Sequence, residues 1–528
     1  MNVSRCAVIS AALLLPTLAS AQQPAGAGDA DVDEVLVIGR SVSTGLAQIE
    51  VDREMLVDTA AVLKEIPGAN VNANGPVTGI AQYRGMYGDR IAVVIDHLGV
   101  VSGGPNAMDA PLSYVSPMLA DELVVSRGIP GVALAPESIG GHVATSLARG
   151  EFATAGSELS GFVGSRYSAN GNVSTTAGRL TFASDAHKVS LLAELDDGDD
   201  VTTPAGVVRP SRLHRERTDL SYAYTGERGG FMVFAGRLDT DDTGTPALPM
   251  DIRFIATDLA GAQASMRVSD SFSIRGMIAW NDVEHLMDNF GLREAPMAPM
   301  HRQNLTTGTG AQLRLTGEIA LSASMLSIGL DASAADHAAT ITNPNNAAFR
   351  VDNFVDVERD VSSAFVEWRR DSAFGEVELG LRAKRVVANA GQVSASGMMG
   401  GMGTNVALLA AAFNAADRSL SWNSVDVVAK FRRLDDAGTE WRLEVGSKTR
   451  APSYQELYLW LPLQATGGLA DGRNYIGGLG LDVERSNEIA AGFGRRLGRL
   501  TLSPEAFYRR VDGYIQGVPS SNLVANLV

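Results

Sequence analysis

The stretch QYRGMYGDRIAVVIDHLGVVSGGPNAMDAPLSYV, Gln82–Val115, combines a short apolar run with a long loop. Ile91–Ile95 is β-branched and bounded by charge and glycine, which predicts a short strand. The loop that follows is rich in glycine and proline, so its backbone can approach a ligand closely. Met108 lies in this loop without the apolar neighbours that a core-filling methionine needs. Met108 is therefore a candidate ligand for a soft metal ion.

The residues around this stretch, 41–150, predict one compact α/β domain of ordinary size. A short helix is expected over Asp58–Ile66, because Pro67-Gly68 ends it. A second strand is expected over Asp121–Ser126. A glycine turn at Ser138–His142 precedes a further strand. Together with Ile91–Ile95 these elements predict a small mixed domain.

The first residues have the pattern of a secretory signal peptide over 1–21. Arg5 supplies the positive charge, Ala7–Leu15 the apolar segment, and Ala19-Ser20-Ala21 the cleavage site. The single cysteine, Cys6, lies inside this segment, so the exported chain is expected to contain no disulfide and no thiolate ligand. Nothing later approaches the ~18 consecutive apolar residues of a membrane helix. A membrane location would therefore require a β-barrel.

Composition narrows the class of protein further. The formal net charge of −16 argues against a nucleic-acid partner, because phosphate binding needs a basic surface. Although 45% of the residues are apolar, the mean hydropathy is close to zero, as expected where apolar and polar positions alternate. The sequence contains no Ser/His/Asp signature, glycine-rich phosphate loop or His-Glu-x-x-His spacing, so nothing in it indicates an enzyme.

From about Glu158 onward, apolar and polar residues alternate in segments of about ten residues separated by polar or glycine turns. This pattern is typical of a transmembrane β-barrel, although a soluble sandwich alternates similarly. Charges on one face of so many strands favour a wet lumen over a dry core. The acidic pairs Asp196-Asp197, Asp199-Asp200 and Asp241-Asp242 are expected in solvated turns. Clear examples of the alternation are Ser271–Trp280, Ala311–Glu318, Glu376–Leu381, Glu440–Val445 and Leu500–Phe507.

Between the signal peptide and the first domain, Gln22–Val32 has the composition of a disordered leader. Asp33–Arg40, DEVLVIGR, is a strand-like run with charged ends. Such a run can add to the sheet edge of another protein. Equally, it can form the first strand of the domain that follows.

Taken together, these features resemble a TonB-dependent outer-membrane receptor of the copper-receptor branch. The resemblance implies an antiparallel transmembrane β-barrel over 151–528 with an α/β plug domain, 41–150, in its lumen. The leader over 22–40 would carry the TonB box, in Asp33, Glu34, Val35, Leu36 and Val37. The stretches that carry the resemblance are Gly75–Arg90, Gly103–Tyr114, Val283–Arg293, Lys448–Pro462 and Gly467–Tyr475.

The resemblance also implies a function and a location. A ligand would be held between plug and barrel and moved inward with energy from a TonB-type complex of the inner membrane. The chain would lie among the lipids of a Gram-negative outer membrane and take up copper, as Cu(I). The alternatives are uptake of another metal or a metal chelate, and a passive porin. The plug-like domain and the TonB-box-like segment argue against the porin.

In that branch, a Cys-x-x-x-Met motif of the plug and a His-x-Met motif of the barrel hold the copper. Met108 matches the plug methionine, and His285 with Met287 matches the barrel pair; the cysteine position is Gly104 here. Side chains at i and i+2 of a strand share a face, so His285 and Met287 can contact one ion. Two thioethers and one imidazole still suit Cu(I).

Further histidine and methionine residues are candidate auxiliary ligands. His97, beside the predicted strand, is a candidate replacement for the missing cysteine. The others are expected in outer loops, where they would either capture copper first or have no chemical role. They are Met297, Met300 and His301 in one cluster and Met398, Met399 and Met402 in another.

The number of strands is the last expectation. Barrels of this family close with 22 strands, whereas the roughly 370 residues after the plug accommodate nearer 15, at about ten residues per strand plus loops. An unpaired sheet edge in lipid would cost several kcal/mol per unsatisfied group. The sequence therefore predicts a chain that lacks its C-terminal strands.

Overall fold

The computed structural model describes residues 46–50, 57–104, 108–126, 128–398, 400–463 and 473–528. The predicted signal peptide, leader and TonB box, and also Met399, lie outside the described residues. Within the described part of the chain, every helix is too short or too polar to cross a membrane.

The residues before 148 form an N-terminal unit with two small sheets. In the first, β5 (Ile91–Ile95) is parallel to β7 (Gly141–Leu147), and β7 is antiparallel to β6 (Ala120–Ser126), which pairs with β1 (Leu46–Glu50). The second contains β2 (Ala69–Ala73), β3 (Gly79–Tyr83) and β4 (Met86–Tyr87). Short 3-10 helices span Thr59–Glu65, Gly88–Arg90 and Pro111–Tyr114.

The predicted elements of this unit are present. The strand expected over Ile91–Ile95 has those bounds. The helix expected over Asp58–Ile66 is a 3-10 helix over Thr59–Glu65. Asp58 caps it, because its carboxylate accepts a hydrogen bond from the Ala60 amide at 2.9 Å. Such a side-chain cap satisfies an amide that would otherwise have no partner.

The rest of the chain forms one large antiparallel sheet that curves into a barrel. A two-stranded hairpin, β11 (Thr202–Thr203) and β12 (Gly206–Val207), lies outside it. The barrel strands are β8 (Ser157–Ser168), β9 (Val173–Ser184), β10 (His187–Gly198), β13 (Leu213–Gly226), β14 (Gly229–Thr243), β15 (Asp251–Ser269), β16 (Phe272–Asp288), β17 (Gln303–Leu321), β18 (Ser324–Asn343), β19 (Asn346–Ser372), β20 (Gly375–Asn389), β21 (Ser394–Ser396), β22 (Leu420–Leu434), β23 (Thr439–Arg450), β24 (Glu484–Leu497), β25 (Leu500–Leu502) and β26 (Glu505–Asp512).

The two ends of the barrel differ in the length of their connections. At one end the turns are short, such as 270–271, 322–323 and 373–374. The longest connections, 289–302, 390–419 and 451–483, lie at the opposite end and carry the helices α1 (Gly400–Ala415) and α2 (Tyr454–Tyr458). Outer-membrane barrels have this asymmetry, with short periplasmic turns and long extracellular loops.

The alternation predicted from the sequence corresponds to the two faces of the barrel. Leu313 and Leu315 of β17 are 54% and 41% exposed on the outside. In β23, Trp441 and Leu443 also face outward, whereas Glu444 is buried toward the lumen. An apolar exterior around a polar interior is the arrangement that lipid requires of a barrel.

Two expectations about the barrel were wrong. The segment Leu500–Phe507 is not one strand, because Ser503-Pro504 separates β25 from β26 and proline cannot donate a ladder hydrogen bond. Two of the three acidic pairs are not in turns: Asp196-Asp197 lies in β10 and Asp241-Asp242 in β14, whereas Asp199-Asp200 follows β10 as expected. Asp196 faces inward, where the Arg215 guanidinium donates to it at 2.9 Å. A buried carboxylate is tolerable in a strand when such a partner is present.

The N-terminal unit lies in the barrel lumen and is joined to the wall by buried polar contacts. Arg90 pairs with Glu484 of β24 at 2.6 Å. Arg382 of β20 donates to the carbonyl oxygen of Val132 at 2.6 Å, and Lys448 of β23 to the Ser138 hydroxyl at 2.7 Å. These bonds hold the N-terminal unit against the inside of the barrel wall.

Candidate metal centre between the N-terminal unit and the barrel

The loop after β5 lies directly against two barrel strands, β16 and β17. The Gly99 amide donates to Oε1 of Gln312 at 3.0 Å. The Val101 amide donates to Oδ1 of Asn281 at 3.2 Å, and Nδ2 of Asn281 donates back to the Val101 carbonyl at 3.0 Å. The side-chain amides of Gln312 and Asn281 thus form hydrogen bonds with the loop backbone, as a neighbouring strand would. These bonds fix the position of the loop along the barrel wall.

Glycines in β17 make this close approach possible. A Cβ at Gly308 would lie 2.7 Å from the carbonyl oxygen of Ser102. At Gly310 a Cβ would collide with the Val101 side chain. Any larger residue at either position would displace the loop from the wall.

Asp109 holds the far side of the same loop together. Its carboxylate accepts hydrogen bonds from the Ser102 hydroxyl at 2.6 Å, the Gly103 amide and the Tyr114 hydroxyl at 2.9 Å. Burial, and then the Asp109 charge, raise the pKa of Tyr114 well above its usual value, so the phenol remains a donor at neutral pH. These bonds position the backbone of Gly104.

Gly104 faces the barrel residues that the His-x-Met motif predicts. A Cβ on Gly104 would lie 3.1 Å from Nδ1 of His285, 3.2 Å from the methyl carbon of Met287 and 3.0 Å from the Thr306 hydroxyl. His285 and Met287 lie near the end of β16 and face the lumen together. The structure therefore brings Gly104, His285 and Met287 to one point.

Met108 occupies the same region. Its side chain is 1% exposed and belongs to an apolar cluster that also contains Met287 and Met250. The cluster includes Trp460 and Leu461 from the long connection after β23 and Phe413 from α1. The site is thus enclosed by the N-terminal unit, the barrel wall and the long connections. This enclosure buries Met108, which the sequence of the loop by itself does not predict.

His285 is the unusual group in this enclosure. The residue is fully buried, and neither ring nitrogen has a hydrogen-bond partner in the described structure. A buried polar atom without a partner costs roughly 1–3 kcal/mol, so such groups are rare unless they have a function. Beside a thioether, an unpaired imidazole nitrogen is suited to a soft metal ion. Among the described residues, no group of three or more His, Cys, Asp and Glu is placed to hold an ion, so a centre here would depend on methionine.

The first auxiliary cluster lies on the surface, in the connection between β16 and β17. Met297 and Met300 are 74% and 55% exposed. His301 stacks on Phe290 with ring centroids 4.5 Å apart. Both ring nitrogens of His301 are engaged, Nε2 with the Pro296 carbonyl at 3.0 Å and Nδ1 with the Asn345 amide at 2.8 Å. Only the methionines of this cluster are available in this conformation.

The sequence suggested that the second auxiliary cluster lies in an unpacked loop, but its described residues are packed. Met402 lies in α1 and is 44% exposed, whereas Met398 is partly buried against the apolar cluster around Met287. This segment is packed because Val406 and Leu409, later in α1, belong to the same apolar cluster and hold the helix against it.

His97 does not reach the Gly104 site. It lines a separate cavity of about 110 Å³ together with His142 of β7. Its backbone has a positive φ of 68° and leaves β5 in a tight turn. Burial lowers the pKa of His97, and it lowers the pKa of His142 to about 3. Both rings are therefore neutral at physiological pH, and they line a cavity that does not include Gly104.

Sequence reasoning missed one histidine, His337 of β18. It stacks on Tyr454 of α2, with ring centroids 3.9 Å apart and planes 12° apart. Both rings line a cavity of about 420 Å³ that extends to Gly104 and Asp109. His337 lies in a segment of alanines with no motif, so only its position in the barrel distinguishes it.

Comparison with proteins of known structure identifies the fold of this chain. No protein-family model and no curated protein sequence matches this chain. The copper transporter OprC is similar in structure, with a TM-score of 0.74 and 22% identity over 88% of this chain and 72% of that one. The hemophore receptor HasR of Serratia marcescens has a TM-score of 0.66 and 14% identity over 89% and 73% of the two chains. The FrpB iron transporter of Neisseria meningitidis has a TM-score of 0.63 and 12% identity over 89% and 73%.

This chain has the fold of the TonB-dependent receptors. In this fold the N-terminal unit corresponds to the plug, and the contacts described above join it to the barrel wall. These solved neighbours are transporters and receptors rather than enzymes. The mainly β, plugged-barrel architecture expected from the sequence is confirmed.

Proposed function

We propose that this TonB-dependent receptor takes up copper, as Cu(I), across the outer membrane. The ion would be held between plug and barrel by Met108, His285 and Met287. Energy for its inward movement would come from a TonB-type complex that engages Asp33–Arg40. The copper transporter among the structural neighbours supports the choice of metal.

The observation that carries this proposal is the state of His285. Its imidazole is fully buried and has no hydrogen-bond partner in the described structure. It lies beside the side chain of Met287 and beside Gly104, where a Cβ would have little space. A bound cation would satisfy the imidazole and use the Met287 thioether at once. Thioether and imidazole donors select Cu(I) over hard cations such as Mg²⁺ or Ca²⁺.

Burial gives this centre the properties of a transport site. Met108, His285 and Met287 are each at most 1% exposed, so a bound ion would be shielded from water. Because Met108 belongs to the plug and the other two to the barrel, movement of the plug would separate the ligands. Release would then depend on the energy source that moves the plug.

Metal analysis of the purified protein tests the proposal. Protein incubated with Cu(I) under reducing conditions is expected to retain one tightly held equivalent. The matched control is His285→Ala, which should lose that equivalent while the barrel remains folded by circular dichroism. Equal retention by both proteins would contradict the proposal.

A second candidate function is uptake of a small metal chelate. The observation that favours it is the cavity of about 420 Å³ beside Gly104, which is larger than a bare ion needs. Uptake measured with free Cu(I) and with chelated copper distinguishes the two. A receptor for a chelate would transport only the second form.

A further inference from the structure

We propose that His337 is a second metal ligand, which receives the cation as it leaves the central site. This inference rests on the proposed function, because it assigns the next step of the same transport route. It concerns a residue of the barrel wall that belongs to neither the Cys-x-x-x-Met nor the His-x-Met pattern.

The strand register places His337 two strands away from the central site. His285 pairs with Thr306 of β17, and Thr306 pairs with Ala339 of β18, so these three residues form one row across the sheet. His337 precedes Ala339 by two residues and shares its lumenal face. Since β18 begins at the short-turn end, His337 is displaced from this row toward that end along its own strand.

The separation of the two histidines makes His337 a distinct position. Two residues along a strand span ~7 Å, and two strand spacings span ~10 Å. The Cα atoms of the two histidines are therefore ~12 Å apart in the sheet, so each imidazole occupies its own position on the wall. A cation passing from one to the other must move through the space between them.

That space exists in the structure. The cavity of about 420 Å³ is lined by Gly104 and Asp109 at the central site and by His337 and Tyr454 farther along. Four carboxylate side chains and three guanidinium groups line it, so its charge favours a cation. Small residues of β18, Ser333 to Ala335, leave the wall open beside His337.

His337 itself has the properties of an unused ligand. It is only 9% exposed, yet Nδ1 has no hydrogen-bond partner in the described structure. Stacking on Tyr454 fixes the ring plane without using a nitrogen. An imidazole held in this way along a cation route is positioned to bind a soft ion transiently.

The test titrates the full-length receptor with Ag(I), a redox-inert soft cation, and follows its histidine side chains by ¹⁵N NMR. The seven histidines of the chain make assignment by single substitution practical. The first equivalent is expected to shift the His285 signal, and further Ag(I) the His337 signal. His337→Phe keeps an aromatic ring against Tyr454 but removes the nitrogens. It should retain the first event, lose the second and slow copper uptake by cells roughly tenfold.

His187→Phe is the matched control, since it makes the same change in another barrel strand at a histidine that does not line the cavity, and it should leave both events and the uptake rate unchanged. A His337 signal that does not respond to excess Ag(I), or wild-type uptake by His337→Phe, would overturn the inference. If His285 responds in that case, the proposed function stands without it. If His285 also fails to respond, the proposed function fails as well.

Discussion

Gly104 of the plug and His285 of the barrel meet so closely that a Cβ on Gly104 would lie 3.1 Å from the imidazole Nδ1. The two residues are 181 positions apart in the sequence, and they belong to different elements: Gly104 to the loop after β5 and His285 to β16. Their contact places the position that matches the cysteine of the Cys-x-x-x-Met motif beside the position that matches the histidine of the His-x-Met motif. The absence of a side chain at residue 104 thus leaves the imidazole nitrogen without a thiol neighbour.

Gly104→Cys should tighten Cu(I) binding, because a thiolate is a stronger soft ligand than the groups it would join. The new Cβ would be about 3 Å from three neighbours, so a small rearrangement must precede the gain. Gly104→Ala measures that steric cost alone and should weaken binding slightly. The measurement is a competition titration against a Cu(I) chelator.

Binding by Gly104→Cys should also depend more steeply on pH than binding by the wild type. A proton must leave the thiol when the metal binds, so affinity should rise as the pH rises. Repeating the titration at several pH values checks this. Parallel curves for the cysteine and alanine variants would mean that the thiol does not reach the ion.

Met108→Ala and His285→Ala should each weaken Cu(I) binding far more than Met402→Ala or Met398→Ala. The first two would remove proposed ligands of an enclosed centre, whereas Met402 lies half-exposed in α1 and Met398 only packs against the apolar cluster around Met287. The same competition titration compares the four variants. If all four lose affinity equally, the metal is held by the outer methionines instead.

Asp109→Asn should weaken Cu(I) binding without removing any ligand. The amide cannot accept all three hydrogen bonds that the carboxylate receives, so the backbone at Gly103 and Gly104 loses its support. Hydrogen bonds to charged groups contribute about 1.5–3 kcal/mol, which corresponds to roughly tenfold or more in affinity. Ser102→Ala removes only one donor and should have a smaller effect. Unchanged affinity in Asp109→Asn would show that the loop is held without it.

Val37→Pro should abolish copper uptake while leaving copper binding intact. If Asp33–Arg40 pairs with the sheet edge of a TonB-type protein, proline removes one amide donor from that pairing and restricts φ. Uptake by cells and binding by purified protein are measured in parallel, with Val37→Ala as the control that keeps the amide. Normal uptake by Val37→Pro would exclude this segment as the TonB box.

Local sequence determined the elements of this protein. The bounds of β5 follow from five consecutive apolar residues between charges, and the two faces of β17 and β23 follow from strict alternation. These features depend on neighbours within a few positions, since a strand shows its side chains to opposite faces in turn. The motif spacing of His285 and Met287 belongs to the same class, because residues two positions apart in a strand share a face.

Only the tertiary structure decided which residues meet. The inward direction of Asp196 depends on Arg215, and the burial of Met108 depends on α1 and the connection after β23. The role proposed for His337 depends on a register that runs through three strands. No local pattern encodes such contacts, because they join residues far apart in the chain. They form only when the sheet curves around the plug and both faces of the loop at Gly104 are covered.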